Sequence, residues 1–342
     1  MPDIEINRNL PLVSIGIPTY NRPELLKKCL FCLLNQTYIN IEIVVSDNCS
    51  PNQAVPNLVA ELRKSHANII YFRHSENIGP SNNFNFVRQK ATGKYFMWLA
   101  DDDLISDRFI EETVNFLEQN EDYSLASGIP FWMDGEIDKI VSLPILSLEN
   151  CNKLKRIFNY ILNVGENSIF YSLMRKTQID SVLPLPTFPG SDWLLISRML
   201  YLGKAKILPG ANLFKNSNGI SDGNNKSFAE QFNSRVFWTN HPALILYIHL
   251  LKDIFHRNYF GQKFTDKLKS LLYFSAAYFY RDTCKFFHTW GYWLFYVIIY
   301  QRYIKQYFFH LFYLLLPASA FNYLRGLKRQ AVATFRQICK FK

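Results

Sequence analysis

Three consecutive carboxylates, Asp101-Asp102-Asp103, directly follow the apolar run from Tyr95 to Ala100. Such a run is typical of a buried β-strand, so the carboxylates are predicted to emerge together at its carboxyl end. Like charges crowded at a sheet edge are costly to ionise unless a cation compensates them. Oxygen ligands favour Mg²⁺ or Mn²⁺, which complete their shells with water and phosphate oxygens. A solvated acidic loop is the alternative, and the strand before the triplet favours the metal site.

Apolar runs alternate with amphipathic helical patterns over the first 119 residues. Alternation at this spacing predicts an α/β fold with a mainly parallel, doubly wound sheet. In such sheets, ligands bind beyond the carboxyl ends of the strands. The predicted strands are 12–17, 41–45, 69–72 and 95–100, and the predicted helices are 24–34, 51–66, 81–90 and 107–119.

Polar residues follow three of these strands and lie far apart in the sequence. They are Thr19-Tyr20-Asn21, Asp47-Asn48 and Asp101-Asp102-Asp103. Because the carboxyl ends of parallel strands share one edge of a sheet, we expect the three groups to converge there. This convergence is the main structural reason to expect a functional site.

The pattern changes after residue 120 to shorter strands, turns and two helices. We predict strands at 124–131, 140–143, 168–174 and 206–208, and helices at 151–163 and 192–202. The polar, glycine-bearing loop 215–226 is a candidate mobile lid. A domain boundary is predicted near 228–240, where the composition changes.

The positive charge is concentrated in the last third of the chain. Residues 1–230 contain 22 Lys and Arg against 25 Asp and Glu, whereas residues 231–342 contain 16 against 3 and also 31 of the 55 aromatic residues. A basic, aromatic segment binds either nucleic acid or an anionic membrane surface. Its charges alternate with apolar runs and form no phosphate-tracking patch, so we expect a membrane surface and no nucleic acid.

Two uncharged segments, 286–301 and 306–324, are 16 and 19 residues long, and Pro317 interrupts the second. A spanning helix needs about 20 predominantly apolar residues. Helices lying in the membrane interface are therefore favoured over a true span, and a soluble aromatic domain or dimer interface remains the other alternative. The polar N-terminus has no signal-peptide pattern, so secretion is not expected.

Four motifs, in order along the chain, together resemble the inverting glycosyltransferases of the GT-A type, family 2, of the bacterial surface-polysaccharide kind. The motifs are Ser14 to Arg22, Val44 to Ser50, Asn77 to Asn83 and Trp98 to Asp103, with a looser fifth match at Gly190 to Trp193. The resemblance covers about residues 12–222. It implies a Rossmann-like GT-A domain over 1–228, with a nucleotide-sugar half at 10–120 and an acceptor half at 121–228. An aromatic, basic helical region, expected to associate with a membrane, would follow over 229–342.

The resemblance implies that six residues bind the nucleotide-sugar donor. Tyr20 would stack on a uridine base, Asp47 would accept the N3–H of that base, and Asp101 would lie near the ribose. Alternatively, Tyr20 is a core aromatic residue and Asp47 caps the following helix. The six residues are Pro18, Thr19, Tyr20, Asp47, Asn83 and Asp101.

The family pattern also implies the metal ligands and the catalytic base. Asp102 and Asp103 would bind Mg²⁺ or Mn²⁺ at the donor diphosphate, and the metal would offset charge on the leaving group. Asp192 would take the proton of the acceptor hydroxyl, and Trp193 would stack on the acceptor sugar. The alternatives are that Asp192 is a helix N-cap and that Trp193 packs in the core.

The expected activity is transfer of a sugar, with inversion, from a nucleotide-diphosphate donor, expected to be a UDP-sugar, to a hydroxyl of a lipid-linked glycan. The protein is expected to act in O-antigen or capsule synthesis, and to lie at the cytoplasmic face of the inner membrane. One departure from the family is Asn82-Asn83, where relatives often have Arg before the Asn, so Lys215 or Lys226 is the candidate diphosphate contact. A catalytically silent nucleotide-sugar-binding or scaffolding subunit is the alternative, and the intact acidic motifs argue against it.

Overall fold

The protein is represented by a computed structural model that describes residues 10–134, 136–142, 146–165, 167–184, 186, 188, 190–216, 242–256 and 263–289. The strands are β1 (Val13–Thr19), β2 (Ile41–Asp47), β3 (Ile69–Arg73), β4 (Tyr95–Trp98), β5 (Leu104–Ile105), β6 (Tyr123–Asp134), β7 (Glu136–Ser142), β8 (Leu173–Arg175) and β9 (Lys204–Asn216). The helices are α1 (Pro23–Leu34), α2 (Ala54–Arg63), α3 (Pro80–Lys90), α4 (Phe109–Gln119), α5 (Lys153–Asn163), α6 (Lys176–Val182), α7 (Ser191–Leu202), α8 (Pro242–His256) and α9 (Phe264–Thr289).

The described strands form one sheet in the order β3-β2-β1-β4-β8-β6-β9-β5, and β7 pairs with β6. The pairs among β3, β2, β1 and β4 are parallel, as is the long pair of β6 with β9. Every residue of β1 and β2 is buried, as expected for parallel strands covered on both faces. The predicted α/β fold with a mainly parallel sheet is confirmed.

Alternate residues of the central strands pack into two different apolar clusters, because successive side chains of a strand point to opposite faces. On β4, Phe96 and Trp98 join one cluster, whereas Tyr95 and Met97 join the other. The first cluster is covered by helices α3, α5, α7 and α8, and the second by α1, α2 and α4. The sheet therefore has a core on each side, and only its strand ends are available for a site.

Two predicted elements differ from the structure. The predicted strand 168–174 is a 3₁₀ helix at Ser168–Tyr171 followed by the three residues of β8, and the unpredicted helix α6 follows. The predicted strand 206–208 lies near the start of β9, which pairs with β6 through a register shift after Gly128. Pairing with β6 extends β9 to Asn216, so the first two residues of the predicted lid are strand, and residues 217–226 lie outside the described residues.

Helix α8 packs on the α/β domain through Leu246, Leu250 and Ile254, which are buried in the first cluster. Beside them, Arg198 of α7 makes a bidentate ion pair with Asp253, with Nε–Oδ2 at 2.7 Å and Nη2–Oδ1 at 2.9 Å. Among the described residues, no helix is both long and apolar enough to cross a membrane. The predicted boundary at 228–240 and the segment 306–324 lie outside the described residues.

Substituting Asp253→Asn should lower the free energy of unfolding by about 3 kcal/mol, because it leaves the buried Arg198 charge without its partner. The matched control is Asp122→Asn, whose ion pair with Lys204 lies at the surface, with the Asp122 side chain 59% exposed. Surface pairs contribute about 1 kcal/mol or less. Urea denaturation measures both variants, and equal losses would contradict the interpretation.

Candidate active site

Thr19 joins two of the predicted acidic positions at one edge of the sheet. It pairs in register with Asp47 across β1 and β2. Its hydroxyl Oγ1 donates a hydrogen bond of 2.7 Å to Oδ2 of Asp101, which follows the neighbouring strand β4. All three residues are buried. The predicted convergence of the strand ends is therefore present in the fold.

The Asp47 carboxylate is fully buried and is surrounded by hydrogen-bond donors. Oδ1 accepts from the backbone N–H and the hydroxyl of Ser50 at 2.8 and 2.6 Å. Oδ2 accepts from the Tyr71 hydroxyl at 3.0 Å and lies 3.5 Å from Nε of Arg73. A carboxylate offers about four acceptor positions, so a nucleotide base would reach Asp47 only by replacing one of these donors.

The loops after β1 and β2 are held together through Ser50. Its hydroxyl accepts a 2.8 Å hydrogen bond from the backbone N–H of Asn21. Asn21 and Cys49 both have positive φ, 55° and 66°, a conformation that is uncommon outside glycine. Residues held in such conformations cluster at functional sites. The side chain of Tyr20 is 45% exposed beside these loops, so it is not a core residue and its ring is accessible for stacking.

A second set of polar contacts connects the third motif to β2. Asn48 donates to Oδ1 of Asn77 at 2.8 Å and accepts from the N–H of Ile78 at 2.9 Å. Asn83 donates to the carbonyl of Ser46 at 3.0 Å. The Oδ1 atom of Asn83 is buried and accepts no hydrogen bond from the described residues. It is therefore an acceptor that a ligand hydroxyl could satisfy.

Arg22 neutralises part of the acidic triplet. Its Nη1 donates to Oδ1 of Asp101 at 3.3 Å and to Oδ2 of Asp102 at 2.9 Å. Oδ1 of Asp103 accepts from the backbone N–H of Asn216 at 3.1 Å. Burial nevertheless raises the pKa of Asp101 to about 6 and that of Asp103 to about 7. The negative charge here exceeds the nearby positive charge.

This donor set fits a divalent cation held jointly with a ligand. No group of three or more acidic, His or Cys side chains within the described ranges is arranged to hold a metal by itself. Mg²⁺, however, is usually bound by one or two carboxylates together with substrate phosphates and water. Asp102 and Asp103 supply such oxygens, and the raised pKa of Asp103 indicates a carboxylate that a cation would stabilise.

Asp192 is the second residue of α7, and the N-cap is Gly190, with φ 94° and no side-chain capping bond. The alternative that Asp192 is the N-cap is therefore wrong. Oδ2 of Asp192 accepts a 2.7 Å hydrogen bond from Nδ2 of Asn167. Burial raises the pKa of Asp192, whereas the Asn167 hydrogen bond and the charge of Lys215 act in the opposite direction. A raised pKa brings a carboxylate closer to the range useful for a general base.

Lys215 connects Asp192 with the acidic triplet. Its ammonium Nζ lies 5.0 Å from the ring centre of Trp132 and 5.6 Å from that of Tyr171. From this position its charge favours ionisation of both Asp103 and Asp192, and so opposes the rise in their pKa values. The charge of Lys215 therefore acts both on the acidic triplet and on Asp192.

Trp193 packs against the first apolar cluster, and the guanidinium of Arg281 lies 4.6 Å from its ring centre. One ring face is thus covered, which supports the packing alternative; the contact of Trp193 with an acceptor sugar stays a prediction.

The sequence analysis missed the contacts of Arg22, Tyr71 and Arg73. Arg22 belongs to the first motif and could have been included, but only the β2–β3 register brings Tyr71 and Arg73 to Asp47.

Comparison with known proteins identifies the class. Residues 14–183 match the family Glycosyl transferase family 2. An uncharacterized glycosyltransferase of Rickettsia felis is 36% identical over 128 residues, which is 37% of this chain and 21% of that protein. One from Haemophilus influenzae is 32% identical over 112 residues, 33% of this chain and 44% of the relative. The chain thus spans less than half the length of these curated relatives.

The structure of S. aureus TarS 1-349 in complex with UDP-GlcNAc has the same fold, with a TM-score of 0.57 at 16% identity, and the match covers 78% of this chain and 72% of that one. The S. aureus TarS 1-349 structure without that ligand gives 0.56, also at 16% identity and with the same coverage. The family match and this shared fold both support a GT-A glycosyltransferase domain of family 2 over residues 14–183.

Substituting Tyr71→Phe should lower the free energy of unfolding by about 1–3 kcal/mol, because it removes a hydrogen bond to the buried Asp47 carboxylate. Tyr123→Phe is the matched control, since its hydroxyl donates at 2.7 Å to Glu149, whose side chain is 38% exposed. Water can replace the lost donor at Glu149 but not at Asp47. Chemical denaturation of both variants tests the difference, and an equal or larger loss in Tyr123→Phe would refute it.

Proposed function

We propose that this protein transfers a sugar from a nucleotide-diphosphate donor to a hydroxyl of a glycan acceptor, with inversion at the anomeric carbon. The juxtaposition of Asp47, Thr19 and Asp101 carries the proposal, since it unites separate motifs at one strand edge. The charge of Lys215 acts on both Asp103 and Asp192, which supports assigning Asp192 to the same site. A donor bound at this edge would have its sugar between the acidic triplet and the base.

The donor half of the site suits a nucleoside diphosphate. Tyr20 offers an exposed ring for the base, and the unsatisfied Oδ1 of Asn83 can accept from a hydroxyl. The TarS complex contains UDP-GlcNAc, and we extend to this chain the expectation of a UDP-sugar. Asp102 and Asp103 would hold Mg²⁺ or Mn²⁺, which supplies positive charge for the departing diphosphate.

Asp192 is the base in this proposal. The acceptor oxygen bonds to the anomeric carbon as the bond from that carbon to the diphosphate oxygen breaks, and the acceptor proton moves to Asp192. A single displacement of this kind inverts the configuration. Lys215 would contact the diphosphate and support its departure, since its ammonium lies near both Asp103 and Asp192.

We further propose a lipid-linked glycan acceptor in bacterial surface-polysaccharide synthesis, with the protein on the cytoplasmic face of the inner membrane. The support is the charge of residues 231–342, which hold 16 Lys and Arg against 3 Asp and Glu together with 31 aromatic residues. Polybasic segments beside apolar surface bind anionic lipid headgroups. Such an attachment would place the site near a lipid-carried substrate.

Substituting Asp102→Asn should abolish sugar transfer and most metal-dependent nucleotide binding while the protein stays folded. The substitution removes one of the two carboxylates proposed to hold the cation. Diphosphate release from a panel of nucleotide sugars measures turnover, and calorimetry of UDP with and without Mn²⁺ measures binding. Asp107→Asn, at an exposed position shortly after the triplet, is the control and should retain activity.

Normal turnover in Asp102→Asn would remove the proposed metal role. Binding of UDP without detectable transfer or donor hydrolysis by the unaltered protein would favour the silent-subunit alternative instead. The two outcomes can be told apart, because the first is measured on the Asp102→Asn variant and the second on the unaltered protein.

Replacing Arg325, Lys328 and Arg329 together by Gln should weaken binding to anionic vesicles by on the order of 100-fold, since each basic residue contributes about 1 kcal/mol near such a surface. Sedimentation with phosphatidylglycerol-containing vesicles measures the change. The control replaces Lys27, Lys28 and Lys64, all exposed on the α/β domain, by Gln. Equal partitioning of the two triple variants would count against attachment through the C-terminal segment.

A further inference from the structure

A buried hydrogen-bond chain leads from the core to the proposed base. The hydroxyl of Tyr160, on α5, donates to Oδ1 of Asn167 at 2.7 Å. Nδ2 of Asn167 donates in turn to Oδ2 of Asp192, also at 2.7 Å. Tyr160 is fully buried and Asn167 is 9% exposed. Both links are short and run from side chain to side chain; the first is buried and the second is partly buried.

The direction of the chain is fixed when Asp192 is ionised. A carboxylate only accepts hydrogen bonds, so Asn167 must turn its amide nitrogen toward Asp192 and its amide oxygen toward Tyr160. The phenol must then donate, since the amide oxygen cannot. Tyr160 is itself held by the first apolar cluster. The packing of α5 therefore determines the orientation of an amide that binds the Asp192 carboxylate.

Two other kinds of group act on the same carboxylate, and a third lies against its neighbour Trp193. The backbone N–H groups at the start of α7 and the charge of Lys215, on β9, favour its ionised form. Arg281, on α9, covers the ring of the adjacent Trp193 and donates to the carbonyl of Ile161. These contacts come from different elements, so removing Asn167 alone leaves the others in place. Its contribution can be measured separately.

We propose that Asn167 and Tyr160 are positioning residues for the general base, and that they hold the Asp192 carboxylate in one orientation and in its ionised form. The proposal rests on the function proposed above for Asp192. Neither residue touches the reacting atoms: Asn167 acts through Asp192, and Tyr160 acts through Asn167. The substrate hydroxyl would then meet a carboxylate that is oriented before the substrate binds.

The electrostatic effect has a definite sign. A hydrogen bond to the ionised form lowers the pKa of a carboxylate, so its loss should raise the pKa of Asp192 further. A base is active only above its own pKa, so the acid limb of the rate profile should move to higher pH. We expect the acid limb to move up by about one pH unit in Asn167→Ala and by less in Tyr160→Phe.

The first experiment titrates the Asp192 carboxyl directly by ¹³C NMR in full-length protein labelled at aspartate. The Asp192→Asn variant assigns the resonance, and the unaltered protein, Asn167→Ala and Tyr160→Phe are compared. Asn163→Ala is the control. Asn163 lies four residues from Asn167 and is exposed, and its Nδ2 donates to the backbone carbonyl and to Oδ1 of Asn159. The expected result is a raised pKa in the two chain variants and no change in the control.

The second experiment measures kcat and KM against pH with the nucleotide sugar that the protein turns over. Asn167→Ala should lower kcat by roughly 10- to 100-fold with little change in the KM for the donor, since misplacing a reacting group costs up to about 100-fold. If Asn167→Ala does not fold, Tyr160→Phe provides the conservative test. An unchanged Asp192 pKa in folded chain variants would overturn the proposal.

Failure of the proposed function gives a different pattern. Full turnover in Asp192→Asn would remove Asp192 as the base and would overturn both proposals. Absence of transfer by the unaltered protein, with the expected NMR shifts, would overturn the proposed function while supporting the hydrogen-bond chain. A merely structural role for Asn167 would change stability without moving the Asp192 titration.

Discussion

The parallel pairing of β1 with β2 and with β4 is the constraint on which the rest of the site depends. It places Thr19 opposite Asp47 and within hydrogen-bond reach of Asp101. Each strand is too apolar to stay in water, and burial on both faces leaves the carboxyl ends as the place where polar groups can gather. The acidic residues are therefore brought together by the same burial that makes ionising them costly.

That cost explains how the charged groups are arranged. Asp47 is satisfied by donors from strand β3 and the loop at Ser50, whereas Arg22 and Lys215 are the cations that offset the acidic triplet among the described residues. The Asp47 carboxylate is therefore a closed structural contact, whereas the acidic triplet keeps an excess of negative charge. A site that binds a cation together with its ligand needs this difference, because a fully neutralised carboxylate would have nothing to gain from the metal.

Several features of the molecule could be predicted from sequence, and several could not. The α/β class, the eight elements predicted before residue 120 and the acidic edge follow from hydrophobic periodicity and from the position of polar residues after apolar runs. The 3₁₀ helix at Ser168–Tyr171, the full length of β9 and the N-cap at Gly190 were missed. Each depends on a neighbour distant in sequence, such as the pairing of β9 with β6, which local propensity does not contain.

The sequence by itself determined which chemistry is available, because an acidic triplet after a buried strand and Asp192 at the start of a helix are local facts. Only the tertiary structure decided which of these groups face one another. The charge of Lys215 acts on both Asp103 and Asp192, and the pairing of β9 with β6 positions Lys215. Asn167 reaches Asp192 because α5 and α7 pack on the same face. Contacts of this kind depend on packing between distant segments, and hydrophobic pattern alone leaves their geometry open.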